Sequence, residues 1–136
     1  MNDPSLEGKV TIVTGAGSGL GRSMALALAE SGGQVVAVDN IARRLDELAA
    51  RTDNLPGGML PLCADLCELE NCTDVVDRTI AEFGVVHGLV NCAGVSIAII
   101  RPEFRRDNVM FWEVPDDKWQ SMFDLNATAP FLLAKA

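Results

Sequence analysis

The chain has 136 residues, enough for one domain with an ordinary hydrophobic core and too few for two independent domains. Hydrophobic residues make up 49% of the chain and charged residues 22%, a mix that excludes a disordered protein. The net charge of −8 disfavours nucleic acid and anionic membranes as partners, because binding to phosphates needs clustered Lys and Arg.

No stretch approaches the roughly 18 consecutive apolar residues that a transmembrane helix requires. Residues 1–7 are acidic and lack the apolar segment of a secretion signal. We therefore expect a cytoplasmic protein that does not act at a membrane. In that reducing compartment disulfides are not expected.

Short apolar runs alternate with segments of helical periodicity along the chain. The predicted strands are residues 10–13, 35–38, 59–64 and 88–90. Each predicted helix has one face of apolar residues at helical spacing: Leu20, Met24 and Leu28; Ile41, Leu45 and Leu48; Val76, Ile80 and Phe83; Trp119, Met122 and Phe123. Apolar strands that alternate with helices predict an α/β fold, in which a parallel sheet is covered on both faces.

A glycine-rich turn, TGAGSGLG, joins the first strand to the first helix. It does not satisfy a strict G-x-G-x-x-G pattern, whereas G-x₃-G-x-G fits it. Glycine tolerates positive φ and lets a ligand approach the backbone, and the N-terminus of the following helix suits a pyrophosphate. We interpret Gly15, Ser18, Gly19, Leu20 and Gly21 as candidate dinucleotide-binding residues, with a purely structural turn as the alternative.

An acidic residue, Asp39, ends the second strand 18 positions after Gly21. A carboxylate at about this distance accepts hydrogen bonds from the ribose hydroxyls of adenosine and repels a 2′-phosphate. The next residue, Asn40, is neutral, and no Arg or Lys lies within the glycine turn. NAD is therefore favoured over NADP. A role for Asp39 in capping the second helix is compatible with this one.

Three further motifs follow the glycine turn in order: Asp65-Leu66, Asn91-Cys92-Ala93-Gly94, and Asn126 within NATAPF. With them the chain resembles the short-chain dehydrogenase/reductase family. The resemblance implies a Rossmann-type, doubly wound sheet with strand order 3-2-1-4. That order puts the third strand at an edge, where Pro61 independently predicts it, because proline cannot donate to a neighbouring strand.

The same resemblance implies roles for the motif residues. Asp65, followed by Leu66, would bind the adenine amino group. Asn91, Ala93 and Gly94 would form the wall near the ribose and the nicotinamide. Cys92 departs from the family pattern, which more often has a second asparagine there.

Asn126 has a physical argument of its own. It shares a helical face with Trp119, Met122 and Phe123, so we expect it to point inward and to need polar partners. Pro130, four residues later, has no N–H and leaves the Asn126 carbonyl without its helical donor. This resembles the asparagine of the family whose carbonyl anchors a proton-relay water. A kinked core helix with one satisfied asparagine is the alternative.

The four cysteines, Cys63, Cys67, Cys72 and Cys92, lack the second ligand pair of a zinc site, and His87 is the only histidine. We expect no metal site and thiols that are buried or neutral.

The chain contains no tyrosine. The resemblance implies a catalytic Ser, and a Tyr and Lys spaced Tyr-x₃-Lys, on elements after the fourth helix, so Asn126 is the only one of the family's catalytic residues found here. We expect residues 1–136 to be a single NAD-binding domain that ends before that segment. The cause could be a partial sequence, a frameshifted gene or a shortened expression product.

The predicted function is hydride transfer between NAD and the alcohol or carbonyl group of a small molecule, catalysed by a longer, homo-oligomeric enzyme. A non-catalytic nucleotide-binding or regulatory module and a non-functional remnant are the alternatives. Residues 95–114 leave two interpretations open, a loop facing the substrate or a subunit and a solvated surface loop.

Overall fold

The computed structural model describes residues 6–96, 98, 102 and 109–136 of the chain. Half of the segment 95–114, whose role the sequence leaves open, lies outside these residues. Four strands alternate with helices in the order β1 (Val10–Thr14), α1 (Gly19–Glu30), β2 (Gln34–Asp39), α2 (Ala42–Ala49), β3 (Gly58–Cys63), α3 (Glu70–Phe83) and β4 (Gly88–Val90). After a short 3₁₀ turn (Phe111–Glu113) come α4 (Asp116–Phe123), a π-helical segment (Asp124–Thr128) and α5 (Ala129–Lys135).

The four strands form one parallel sheet in the order β3-β2-β1-β4. This confirms the α/β fold and the strand order 3-2-1-4 predicted from the sequence. Pro61 is exposed in β3, at one edge of the sheet, and is paired in register with Ala37 of β2. An inner strand needs backbone donors toward both of its neighbours, and proline has no N–H to donate. Its place in an edge strand agrees with this.

Two apolar clusters cover the two faces of the sheet. On one face α1 and α2 pack against β1 and β2 through small and aliphatic residues such as Ala25, Ala29 and Leu48. On the other face α3 and α5 pack through Val75, Cys72 and Leu133, among others. Helices on both faces bury the two inner strands, β1 and β2, almost completely, which explains why their sequences do not alternate between apolar and polar residues.

Helix α1 buries a different face from the one predicted. Its buried residues are Gly21, Ala25 and Ala29, whereas Leu20 is 72% exposed and Met24 is 40% exposed. Small residues let the helix backbone lie close to β1 directly after the glycine turn. The large apolar residues lie one position to the side, where Leu28 still packs against the core cluster but Leu20 and Met24 do not, so the periodicity predicted the helix correctly and its most buried face only approximately.

None of the helices in the described ranges is both long and apolar enough to cross a bilayer. In the same ranges, no three His, Cys, Asp or Glu side chains come together as metal ligands would.

Candidate functional site

An open cleft of about 450 Å³ lies beyond the carboxyl ends of the strands. Strand β1 has β2 on one side and β4 on the other, so the chain crosses over in opposite directions at this point. Ligands of open α/β sheets bind at such a reversal of strand order. All expected cofactor-binding residues except Asn91 line the cleft: Gly15, Ser18, Gly19, Leu20, Gly21, Asp39, Asp65, Leu66, Ala93 and Gly94.

The glycine turn presents the N-terminus of α1 to this cleft. Gly15 and Gly19 have φ of +64° and +54°, a conformation that residues with a Cβ rarely adopt. Ser18 occupies the N-cap position, yet its side chain makes no capping hydrogen bond within the described part of the chain. The first N–H groups of α1 have no acceptor inside the helix, so they can bind an anionic group in the cleft.

Close packing within the turn explains the spacing of its glycines. A Cβ on Gly21 would lie 2.2 Å from the carbonyl oxygen of Gly15. A Cβ on Gly15 would lie 2.8 Å from the backbone of Ala93, which follows β4. Three segments therefore meet with no room for a side chain, and this brings the backbone wall after β4 to the edge of the turn.

Asp39 connects the end of β2 to the glycine turn. Its carboxylate is buried, and Oδ2 accepts a hydrogen bond from the Gly17 N–H at 3.0 Å. Oδ1 accepts a second hydrogen bond from the Ile41 N–H at 3.1 Å. Ile41, and not Asp39, is the N-cap residue of α2, so the simple capping role considered for Asp39 is wrong. Each oxygen keeps a lone pair for a hydroxyl group in the cleft.

The hydroxyl group of Thr14, at the end of β1, fixes the wall after β4. Its Oγ1 accepts hydrogen bonds from the N–H groups of Cys92 (3.0 Å) and Ala93 (3.1 Å) and donates to the Val90 carbonyl (3.4 Å). Thr14 is 1% exposed. No sequence pattern assigned a role to Thr14, although its place directly before the first glycine is a signal that points to one.

The segment after β4 contributes mainly backbone and small side chains to the cleft. Ala93 and Gly94 line the cleft together with Cys92, whereas Asn91 is exposed and does not line it. The Cys92 Sγ atom lies 4.0 Å from the Met24 Sδ atom of α1.

Asn126 lies beside the cleft and is exposed, so the expectation that it points inward is wrong. Its amide group nevertheless has two partners, because Oδ1 accepts from the Val95 N–H at 2.9 Å and Nδ2 donates to the Val95 carbonyl at 2.7 Å. A Cβ on Gly94 would lie 3.0 Å from Asn126 Oδ1. The amide thus holds the segment that follows the cleft wall.

The backbone around Asn126 is π-helical. The Ala129 N–H bonds to the Asp124 carbonyl, five residues earlier, and Pro130 provides no N–H for the Asn126 carbonyl. Single turns of π-helix are rare and occur frequently at functional sites. The sequence predicted the missing donor but not the change of helix type.

The far end of the cleft is formed by residues after β2 and β3. Leu66 is buried, and Asp65 is exposed with Oδ1 accepting a hydrogen bond from the Cys67 N–H at 2.9 Å. Burial, and then the nearby Asp65 carboxylate, raise the pKa of the Cys67 thiol above its usual value. Arg44 of α2 also lines the cleft, next to Asp39, and no sequence motif predicted this residue as part of the site.

The sequence profile of the family described as short chain dehydrogenase matches residues 9–136. The chain belongs to this family.

Curated members of the family match nearly the whole chain. It is 36% identical over 132 residues to 2-dehydro-3-deoxy-D-gluconate 5-dehydrogenase of Escherichia coli (strain K12), covering 97% of this chain and 47% of that protein. It is 35% identical over 127 residues to L-xylulose reductase of Mus musculus, covering 93% and 45%. The chain therefore spans about half the length of the curated relatives that it matches.

Solved structures of short-chain oxidoreductases have the same fold. A metagenomic short-chain oxidoreductase in complex with NADP superposes with a TM-score of 0.86 at 26% identity, covering 97% of this chain and 56% of the other. L-sorbose reductase from Gluconobacter frateurii, complexed with NADPH and L-sorbose, superposes with a TM-score of 0.84 at 30% identity, covering 98% and 47%.

Proposed function

We propose that the chain forms the dinucleotide-binding part of an oxidoreductase that transfers hydride between a nicotinamide cofactor and the alcohol or carbonyl group of a small molecule. The observation that carries this proposal is the junction of Asp39 with the glycine turn, where a buried carboxylate and the open N-terminus of α1 face the same cleft. When bound, the dinucleotide supplies the hydride chemistry through its nicotinamide.

The chain's own residues bind and orient the dinucleotide in this proposal. The N–H groups at Gly19, Leu20 and Gly21 hold the pyrophosphate, since they begin α1 and line the cleft. Gly15 and the uncapped Ser18 complete the turn.

The adenosine half of the dinucleotide binds at the other end of the cleft. Asp39 accepts hydrogen bonds from the ribose hydroxyls, and Asp65 binds the adenine amino group with Leu66 beneath it. Both carboxylates line the cleft, as these roles require.

The nicotinamide half of the dinucleotide binds against the wall after β4. Ala93 and Gly94 form that wall, whereas Asn91 does not line the cleft and is given no contact with the cofactor. Asn126 supports it through Val95, and its backbone carbonyl holds the proton-relay water of the complete enzyme.

We assign the role of general acid or base in the reaction to no residue of this chain. A tyrosine is the family's expected general acid/base, and the sequence contains none. Lys118 and Lys135 lie outside the cleft lining and are given no role. We expect no turnover from the 136-residue chain alone. A cytoplasmic location, a small-molecule substrate and assembly with further copies of the chain belong to the same proposal for the complete enzyme.

The preferred cofactor in this proposal is NAD. Asp39 lines the cleft, and as the acceptor of the ribose hydroxyls its carboxylate would repel a 2′-phosphate, which disfavours NADP. The carboxylate is held on both oxygens by backbone N–H groups, so it cannot easily turn away from a phosphate.

NADP is the second candidate, and two observations favour it. Arg44 lines the cleft beside Asp39 and makes no ion pair with the described residues, so its guanidinium group can meet a 2′-phosphate. The solved relatives named above contain NADP or NADPH.

Calorimetric titration of the chain with NAD and with NADP tests the proposal. We expect saturable binding with NAD the tighter ligand, and a loss of about tenfold or more in NAD affinity for Asp39→Ala. Arg44→Ala should leave NAD affinity nearly unchanged.

Two results would count against parts of this proposal. Tighter NADP binding that depends on Arg44 would replace NAD by NADP as the cofactor. No saturable binding of either dinucleotide to the folded chain would refute the proposed site, and would favour a remnant without function.

A further inference from the structure

Arg22 of α1 lies outside the cleft lining and bonds to a peptide group that also bonds to Asp39. Its Nη2 atom donates a hydrogen bond to the Gly17 carbonyl. The N–H of the same residue, Gly17, donates to Asp39 Oδ2 at 3.0 Å. Gly17 is therefore held on its N–H by the carboxylate and on its carbonyl by the guanidinium group.

The packing around Gly17 leaves its backbone no room to shift. Gly17 is buried, and a Cβ there would lie 2.6 Å from Asp39 Cγ. A rotation of the Gly17 backbone would move its N–H away from the carboxylate, which among the described residues would then keep the Ile41 N–H as its one backbone donor. Any group that fixes the Gly17 backbone thus fixes the position of Asp39.

Arg22 is itself anchored from a second helix. Its Nη2 atom lies 3.9 Å from Glu47 Oε2 of α2, and the side chain is 29% exposed. Arg43, one turn earlier on α2, also pairs with Glu47 but has 77% of its side chain exposed. Arg22 therefore connects α1, the glycine turn and α2, whereas Arg43 pairs within α2.

The position of Arg22 is not explained by helix stability. It lies in the first turn of α1, where the helix dipole disfavours a cation. Its Nε atom is buried and has no hydrogen-bond partner in the part of the chain that the structure describes. The hydrogen bond from Arg22 Nη2 to the Gly17 carbonyl explains why an arginine lies at this position.

We propose that Arg22 is a positioning residue that fixes Asp39 through Gly17 and thereby sets the affinity for the adenosine half of the cofactor. This inference rests on the proposed function for its ligand, but its structural part, the coupling of Arg22 to the Gly17 N–H, does not. Arg22 makes no contact with the ligand in this scheme.

The first test needs no ligand. In the ¹⁵N-labelled chain, we expect Arg22→Met to speed hydrogen exchange at the Gly17 N–H by about fivefold or more, because its hydrogen bond to Asp39 weakens. Arg43→Met is the matched control, since it removes a Glu47 partner without touching Gly17, and it should leave the exchange rate unchanged. Equal rates in Arg22→Met and the unsubstituted chain would overturn the proposal.

The second test is a double-mutant cycle with ADP-ribose as the probe. Arg22→Met should weaken binding about tenfold in the natural chain and less than about twofold in the Asp39→Ala background, because the two residues act through one peptide. Arg22→Lys, which keeps a cationic donor, should restore most of the loss. Additive effects of Arg22→Met and Asp39→Ala would indicate a general structural role and refute the proposal.

The outcomes separate this inference from the proposed function. If the unsubstituted chain does not bind ADP-ribose, the proposed site fails, and the Gly17 exchange rates still decide the role of Arg22. If the chain binds and only Asp39→Ala weakens binding, the site stands and the role of Arg22 is refuted. If Arg22→Met does not fold, Arg22→Gln, whose shorter side chain cannot reach the Gly17 carbonyl, makes the same comparison.

Discussion

The hydroxyl group of Thr14 joins β1 to the wall after β4. It accepts two backbone N–H groups and donates to one carbonyl, all more than 70 residues away in sequence. A sequence pattern can show that a threonine precedes a glycine turn, but not which distant backbone its hydroxyl meets. The place of Asp39 in the cleft, by contrast, could be predicted from the sequence, because one helix and one strand fix its spacing from the glycines.

Replacing Thr14 by valine keeps the shape of the side chain and removes its acceptor. Two N–H groups, of Cys92 and Ala93, then lose their partner. An unsatisfied buried donor costs about 1–3 kcal/mol, so we expect Thr14→Val to lower the free energy of unfolding by about 2–4 kcal/mol.

Urea denaturation followed by circular dichroism measures this loss. Thr14→Ser is the control, because it keeps the hydroxyl and should cost only about 1 kcal/mol for the lost methyl group. A Thr14→Val chain as stable as the Thr14→Ser chain would show that the hydroxyl does not hold the wall.

The helices show what the periodicity of apolar residues can and cannot predict. It predicts that a segment is helical, because apolar residues recur every three or four positions. It does not predict which face is buried when small residues pack closest, and so it missed the Gly21, Ala25 and Ala29 face of α1. Near Asn126 it treated α4 and α5 as one helix, because the π-helical segment depends on the backbone donors around Pro130.

Helix α4 has no buried residue, and the apolar side chains predicted to face inward are largely exposed. Trp119 is 59% exposed and Phe123 is 55% exposed, whereas Leu133 of α5 is 5% exposed. The two helices therefore contribute unequally to the stability of the chain.

We expect Phe123→Ala to change the free energy of unfolding by no more than about 0.5 kcal/mol, because the ring is mostly in water already. Leu133→Ala should cost about 2–5 kcal/mol, since it leaves a cavity in the cluster formed with α3. Both values follow from urea denaturation of the two variants. A Phe123→Ala chain as destabilised as Leu133→Ala would mean that the α4 face is packed.

At the scale of the whole molecule, the strand order followed from two independent signals. The order of the motifs implied 3-2-1-4 through a family resemblance, and Pro61 required β3 to lie at an edge. The cleft then follows from the topology, because parallel strands bring all their carboxyl ends to one side. Contacts between residues far apart in sequence, such as Arg22 with Glu47 and Thr14 with Cys92, could not be predicted from the residue pattern.

The central claim is that the cleft at the reversal of strand order binds a nicotinamide dinucleotide. Titration of the ¹⁵N-labelled chain with NAD, followed by amide chemical shifts, tests it most directly. We expect saturable shifts at Gly19, Leu20 and Gly21, at Asp39 and along residues 91–94, with little change in α3. Shifts confined to other surfaces, or no saturable shift in a folded chain, would contradict the account.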